Sequence, residues 1–278
     1  MMQLFNQTSL QCSKLITERY STSFTLGIKT LDKKLHLPIY AIYGFVRYAD
    51  EIVDTFHDFD KKTLLDRFKH DAYQAIEEKI SLNPVLHSFQ MVVNQYHIEN
   101  ELIAAFLHSM EMDLHKQQYD DTVYEEYIYG SAEVVGLMCL RVFCEGNALE
   151  YDRLKSGARR LGAAFQKVNF LRDLKSDFED RGRVYFPGVD FSDFTKDAKH
   201  LIEADIQADF DAALISIKQL PRAARMGVYL AYVYYVTLFN KIKNTSAARI
   251  QEERIRVPDG QKMALLAKTY VKFQLKVI

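Results

Sequence analysis

The sequence has no tryptophan, and its 278 residues include only three cysteines, five prolines and eleven glycines. So little Pro and Gly excludes a turn-rich β protein and points to long, uninterrupted helices. The cysteines, Cys12, Cys139 and Cys144, are odd in number and their spacing matches no zinc site. That leaves reduced, buried thiols in a cytoplasmic protein as the expectation. An excess of one charge is missing too: 36 basic against 37 acidic residues give a net charge of -1. No overall field favours nucleic acid, so nucleic-acid binding is not expected and any strong field must be local. The opening stretch MMQLFNQTSLQCSK has no apolar signal core. The longest apolar run, Met226 to Phe239, is shorter than the roughly 20 residues that span a bilayer and reads as a core helix.

What is present is helical periodicity. The spacing predicts helices near 36–56, 60–80, 83–97, 99–118, 120–145, 147–178, 198–218, 221–243 and 260–274. In SLNP (81–84), Asn83 is suited to a helix cap and Pro84 to a first-turn position. The one long polar insertion, 179–194, holds Gly182, Pro187 and Gly188, which end the helix before it. No repeat, low-complexity linker or shift in composition divides the chain. The expectation is a single all-α domain over 1–278, a bundle of packed helices.

Two of these helices carry acids where apolar residues dominate. In AIYGFVRYADEIVDTF (41–56), Arg47, Asp50 and Asp54 follow i, i+3, i+7 spacing and share one face. A solvated face with an Arg47–Glu51 pair is the ordinary reading of such a pattern. Here Ile42, Tyr43, Phe45, Val46, Tyr48, Ile52 and Val53 cover nearly every other direction, which places the helix inside the protein. Buried carboxylates must be paired, protonated or bound to a metal. The second helix lies in AAFQKVNFLRDLKSDFEDRGRVYFP (163–187), where Gln166, Asn169, Asp173 and Asp177 form one polar stripe. Arg172, Arg181 and Arg183 lie nearby, and Glu179 and Asp180 extend the acidity. Two D-x-x-x-D pairs suit Mg²⁺, which takes hard oxygen ligands from one or two carboxylates plus substrate phosphates. Arginines would take the remaining phosphate oxygens bidentately.

These segments resemble the squalene/phytoene synthase family of head-to-head trans-isoprenoid synthases, nearest its bacterial phytoene synthases. RYADEIVD looks like the first aspartate-rich motif of the family, and QKVNFLRDLKSDFEDRGRVYFP like the second. STSF (21–24), MEMDL (110–114), YIYGSAEVVGLM (127–138) and ARIQEERIRVP (248–258) fit it as well. One departure is Glu133, where the family often has glycine.

The resemblance implies an isoprenoid-synthase-type bundle with a central active-site cavity. It implies Mg²⁺, with Mn²⁺ as an alternative, held by Asp50, Asp54, Asp173 and Asp177 with Asn169. Arg47, Gln166, Arg172 and Arg183 would bind diphosphate or support the metal, with Ser21 and Ser23 closing over one site. Phe24, Tyr43, Tyr129, Tyr185 and Tyr235 would line the substrate end, Tyr129 as a catalytic tyrosine. The implied reaction couples two geranylgeranyl diphosphates to phytoene through a cyclopropyl diphosphate.

The alternative within the family is a squalene or dehydrosqualene synthase using farnesyl diphosphate, with NADPH required only for squalene. The absence of a C-terminal anchor in the sequence argues against the eukaryotic type of squalene synthase. A non-enzymatic helical scaffold predicts loss of a motif aspartate, yet all four are present. Elongating prenyl transferases usually carry D-D-x-x-D, which neither segment shows. His108, Glu111, Asp113 and His115 superficially suggest a di-iron site. Such a site needs Glu-x-x-His in two copies, which the sequence lacks. Prenyl diphosphates are the expected partners, with peripheral contact at a membrane because the product is apolar. Oligomeric state is not legible in the sequence.

Overall fold

A computed structural model describes residues 1–115, 119–179, 183, 185–189, 194–275 and 277, and no strand occurs among them. The helices in chain order are α1 (Met2–Tyr20), α2 (Thr22–Lys29), α3 (Lys33–Asp54), α4 (Lys61–Glu78), α5 (Pro84–Tyr96) and α6 (Asn100–Met112). They continue with α7 (Asp121–Ile128), α8 (Val134–Phe143), α9 (Ala148–Glu179), α10 (Lys196–Ile217), α11 (Arg222–Lys243), α12 (Ala247–Glu252) and α13 (Asp259–Gln274). A π-helical turn, Tyr129–Glu133, joins α7 to α8.

The all-round apolar segment becomes the central helix, α3, which packs against α1, α2, α4, α5, α6 and α8. Phe45 anchors it. Its ring stacks on Phe89 of α5 with centroids 3.8 Å apart and touches Phe68 of α4 at 5.4 Å and Phe106 of α6 at 5.5 Å. At 3.6 residues per turn, Arg47 and Asp54 lie about half a turn round the helix from Phe45. Aromatic packing on one side thus orients the charged stripe on the other. The helix starts earlier than the pattern predicts because Asp32 caps it, its carboxylate accepting from the Lys34 amide at 3.1 Å. Its last turn is held by the Lys61 ammonium, which donates to the Val53 carbonyl at 2.8 Å, next to Asp54. Asn83 caps α5 and Pro84 opens it, as expected.

Three helices, α1, α2 and α12, have no counterpart in the sequence reading. For α1 the cause is clear: its buried residues are Ser9, Ser13 and Thr17, a face without apolar periodicity. Small hydroxyls can be buried there because each finds a partner. Ser9 donates to the Phe5 carbonyl, Thr17 to the Ser13 carbonyl, and Ser13 shares a 2.7 Å hydrogen bond with Ser88. Their small size also lets α1 approach α3 closely. A Cβ at Gly44 would lie 2.7 Å from the Ser13 hydroxyl, so only glycine fits. The helix expected at 99–118 ends at Met112, with 116–118 outside the described residues. The one expected at 120–145 is broken by the π turn, whose Gly130 lies hard against α6: a Cβ there would lie 2.5 Å from the Ala105 carbonyl oxygen.

Candidate active site

A cavity of about 550 Å³ runs between α2, α3, α8, α9, α10 and α11. Its wall changes character along two helices in the same sense. On α3 it is lined by Ile39, Ile42 and Val46, then by Arg47, Asp50 and Asp54. On α9 it is lined by Leu154, Ala158 and Leu161, then by Gln166, Asn169, Asp173 and Asp177. From Leu154 to Asp177 the helix rises ~35 Å at 1.5 Å per residue. The chamber therefore has a long apolar barrel, with Phe143, Ile217 and Leu220 in its wall, and a charged head. Both aspartate pairs anticipated from the sequence line that head.

Arg183 ties the head together. Its guanidinium donates to an Asp54 carboxylate oxygen at 3.1 Å and to the Asp113 backbone carbonyl at 2.7 Å, and lies 3.4 Å from an Asp113 carboxylate oxygen. Its own amide donates to the Asp177 carbonyl at 2.8 Å, which folds the chain back after α9. Asp113, at the C-terminal cap of α6, also accepts from the hydroxyls of Tyr127 at 2.8 Å and Tyr185 at 3.4 Å. Burial pushes the Asp113 carboxyl up to about 6, against the opposing pull of Arg183 and Tyr127. Burial works against the Arg183 charge, but the carboxylates of Asp113 and Asp54 and the Tyr185 hydroxyl more than offset it. Burial likewise holds the Tyr127 and Tyr185 hydroxyls well above their usual range, so both remain protonated donors. Tyr185 stacks on Phe170 with centroids 4.0 Å apart and on Tyr127 at 5.0 Å, which presents a wall of aromatic rings.

On the α9 side, Asp173 is gripped by two arginines. Arg172 reaches its two oxygens at 3.0 and 2.5 Å, and Arg254 reaches them at 2.7 and 3.5 Å. Arg254 lies beyond α12, within the stretch that resembles the family, but its role is not legible from sequence spacing. Gln166 donates to the Ser131 hydroxyl at 3.3 Å. Asn169 accepts from the Tyr235 hydroxyl at 3.2 Å, which leaves one carbonyl lone pair for another partner. Tyr235 is buried and stacks on Phe165 at 3.9 Å. Ser23, Phe24 and Tyr43 line the cavity, with the Phe24 and Tyr43 rings 5.5 Å apart.

Four expectations need correction or completion. Tyr129 does not line the cavity; it packs against the core with Arg159 over its ring at 5.2 Å. Tyr127, two residues earlier, faces the charged head instead. Tyr-x-Tyr puts two rings on nearly opposite sides of a helix, and the sequence does not say which side faces in. Arg47 lines the cavity, but its guanidinium pairs with Glu51 and sits 4.5 Å over the Tyr20 ring. The i,i+4 pair set aside in the sequence reading is therefore formed, and it explains the buried Glu51. Ser21 is not in the cavity wall; it caps α2 by accepting from the Phe24 amide at 3.2 Å. Glu133 pairs with Arg159 at 2.5 Å and is also absent from the wall. Asp180, Arg181 and Gly182, and the side chain of Glu179, lie outside the described residues.

Among the described residues, no three His, Cys, Asp or Glu side chains gather into a ready-made metal cage. The donors are instead two carboxylate pairs on separate helices, with arginines between and around them. That set fits Mg²⁺, which uses one or two carboxylates and completes its shell with water and phosphate oxygens.

The squalene/phytoene synthase family profile matches residues 17–261. Phytoene synthase 1 of Zea mays is 27% identical over 287 residues, covering 92% of this chain and 67% of its own length. The 4,4'-diapophytoene synthase of Staphylococcus haemolyticus is 25% identical over 199 residues, covering 70% and 67%. A dehydrosqualene synthase crystallised with a ligand superposes with a TM-score of 0.81 at 20% identity, over 97% of this chain and 98% of the other, and so shares the all-helical fold. With a family match over most of its length and both acidic motifs in one cavity, the chain belongs to the squalene/phytoene synthase family of head-to-head prenyltransferases.

Proposed function

We propose that the chain, acting as one domain over 1–278, joins two geranylgeranyl diphosphates head to head to form phytoene through a cyclopropyl diphosphate. The observation that carries this reading is the polarity gradient of the cavity, a charged head leading into a long apolar barrel. Diphosphates fit the first and prenyl chains the second.

In this reading Asp50, Asp54, Asp173 and Asp177, with Asn169, hold the metal. Bound Mg²⁺, or Mn²⁺ in its place, would act as a Lewis acid that neutralises the departing diphosphate. Arg172, Arg183 and Arg254 take phosphate oxygens in bidentate pairs, with Arg47, Gln166 and Ser23 beside them and Ser21 fixing the turn that carries Ser23. The allylic cation left behind is attacked by the double bond of the second donor, and loss of a proton closes the cyclopropyl diphosphate; a second ionisation and rearrangement, ended by loss of another proton, gives the hydrocarbon. Tyr43, Tyr127, Tyr185, Phe170, Phe24 and Tyr235 surround the chain near the head, where aromatic faces stabilise a passing cation and exclude water. Tyr127 takes the place first given to Tyr129. An apolar product leaving such a cavity favours peripheral contact with a membrane, and no helix among the described residues is long and apolar enough to cross one.

The names of the two relatives point to products of different length. The second reading is therefore coupling of farnesyl diphosphate to dehydrosqualene, or to squalene with NADPH. Incubation with Mg²⁺ and each prenyl diphosphate, with and without NADPH, separates them. The expected result is a C40 hydrocarbon with a central conjugated triene, formed from geranylgeranyl diphosphate without NADPH. A C30 product formed from farnesyl diphosphate alone selects the second reading, and no hydrocarbon from either substrate overturns both.

A further inference from the structure

Two of the carboxylates proposed for the metal are already neutralised by arginines from other parts of the chain. Asp54 of α3 is held by Arg183, which comes after α9. Asp173 of α9 is held by its neighbour Arg172 and by Arg254, which comes after α12. Both oxygens of Asp173 are engaged by both guanidiniums. A divalent cation arriving at Asp173 meets two positive charges in the position it must take. A diphosphate arriving at Arg254 meets a group already committed to a carboxylate. Neither obstacle persists if both ligands arrive together, because the phosphate oxygens offer each guanidinium a second bidentate partner.

We propose that Arg254 is a resident counter-ion, held by Asp173 and transferred to the diphosphate when metal and diphosphate bind. Metal and diphosphate thereby strengthen each other's binding, a coupling that is reciprocal by thermodynamic necessity. The inference rests on the proposed function and adds to it the way the site keeps either ligand from binding well alone. Arg254 is the member suited to the exchange. Its side chain is 51% exposed, whereas those of Arg172 and Arg183 are 19% and 10% exposed and packed in place. The segment between α12 and α13 that carries it is anchored on either side by buried Ile250, Ile255 and Val257, so the arginine can swing without the segment moving. Salt weakens an exposed pair of this kind, so the obstacle to metal binding alone shrinks as ionic strength rises.

The test is Mn²⁺ binding to the full chain, followed by paramagnetic resonance of the unbound ion, with and without inorganic pyrophosphate. Arg254→Gln has opposite effects in the two titrations. Without pyrophosphate it binds Mn²⁺ about two- to fivefold more tightly than wild type, the scale of an exposed ion pair. With pyrophosphate it binds the pair about tenfold more weakly, because a charge-assisted contact to the phosphate is gone. Structural damage would weaken both titrations. Lys262→Gln controls for charge alone: Lys262 also lines the cavity but pairs with Asp259 at 3.0 Å, not with a motif aspartate. The inference is overturned if Arg254→Gln binds Mn²⁺ no more tightly than Lys262→Gln without pyrophosphate, or more weakly than wild type in both titrations. Wild type that binds no Mn²⁺ even with pyrophosphate would overturn the proposed function itself.

Discussion

Replacing Asp54 or Asp177 by alanine is expected to lower turnover of geranylgeranyl diphosphate by about 10³-fold, ~4 kcal/mol of barrier, while the chain stays folded. The fold should survive for reasons specific to each position. Asp54 shares Arg183 with Asp113, so its removal leaves the guanidinium a carboxylate partner. Asp177 is buried, but the contact that turns the chain after α9 uses its backbone carbonyl, which alanine keeps. Pyrophosphate release and a thermal melt on the same samples make the measurement. Loss of less than tenfold at both positions would leave the two pairs without a chemical task and overturn their assignment as the metal site.

The largest effect on stability is expected from Arg183→Leu. Removing one partner of a buried ion pair strands the other charge, at a cost of about 3–5 kcal/mol. The stranded group is Asp113, whose side chain is only 5% exposed and is already raised to about 6 by burial. Without Arg183 its carboxyl rises further. The sign follows from linkage: a group whose folded pKa lies above its unfolded value stabilises the fold at low pH, and loses that contribution as pH climbs through the folded pKa. The deficit of Arg183→Leu relative to wild type is therefore greatest at alkaline pH and shrinks as pH falls toward 6, below which Asp113 is protonated with or without the cation and the difference levels off. Urea unfolding across that range in metal-free buffer measures it. A deficit independent of pH would place the cost elsewhere in the contacts of Arg183.

What could be read from the sequence follows from the physics of each element. α3 was legible because apolar residues on nearly every face make its acids conspicuous, and α9 because Gln166, Asn169, Asp173 and Asp177, spaced by threes and fours, fall on one face. The positions of α4, α5, α10, α11 and α13 followed from apolar periodicity and, at Asn83 and Pro84, from capping chemistry. α1 escaped because serine and threonine form its buried face, where hydroxyls bonded to neighbouring carbonyls take the place of apolar side chains. Tyr129 was named by resemblance to a family motif; the cavity wall holds Tyr127 instead, two residues before Tyr129, where the π turn begins. Arg254 was missed because it acts on Asp173 from 81 residues away. Arg47 lines the cavity, and the local i,i+4 pair with Glu51 is formed as well.

In the proposed function both aspartate pairs serve one site that consumes two prenyl diphosphates in each coupling. The ratio of pyrophosphate released to hydrocarbon formed tests it most directly, measured on wild-type protein with Mg²⁺ and geranylgeranyl diphosphate. Two pyrophosphates per C40 molecule are expected, with both products lost on chelation and restored together by Mg²⁺. One pyrophosphate per product, with a longer prenyl diphosphate or a prenyl alcohol in place of the hydrocarbon, would contradict it.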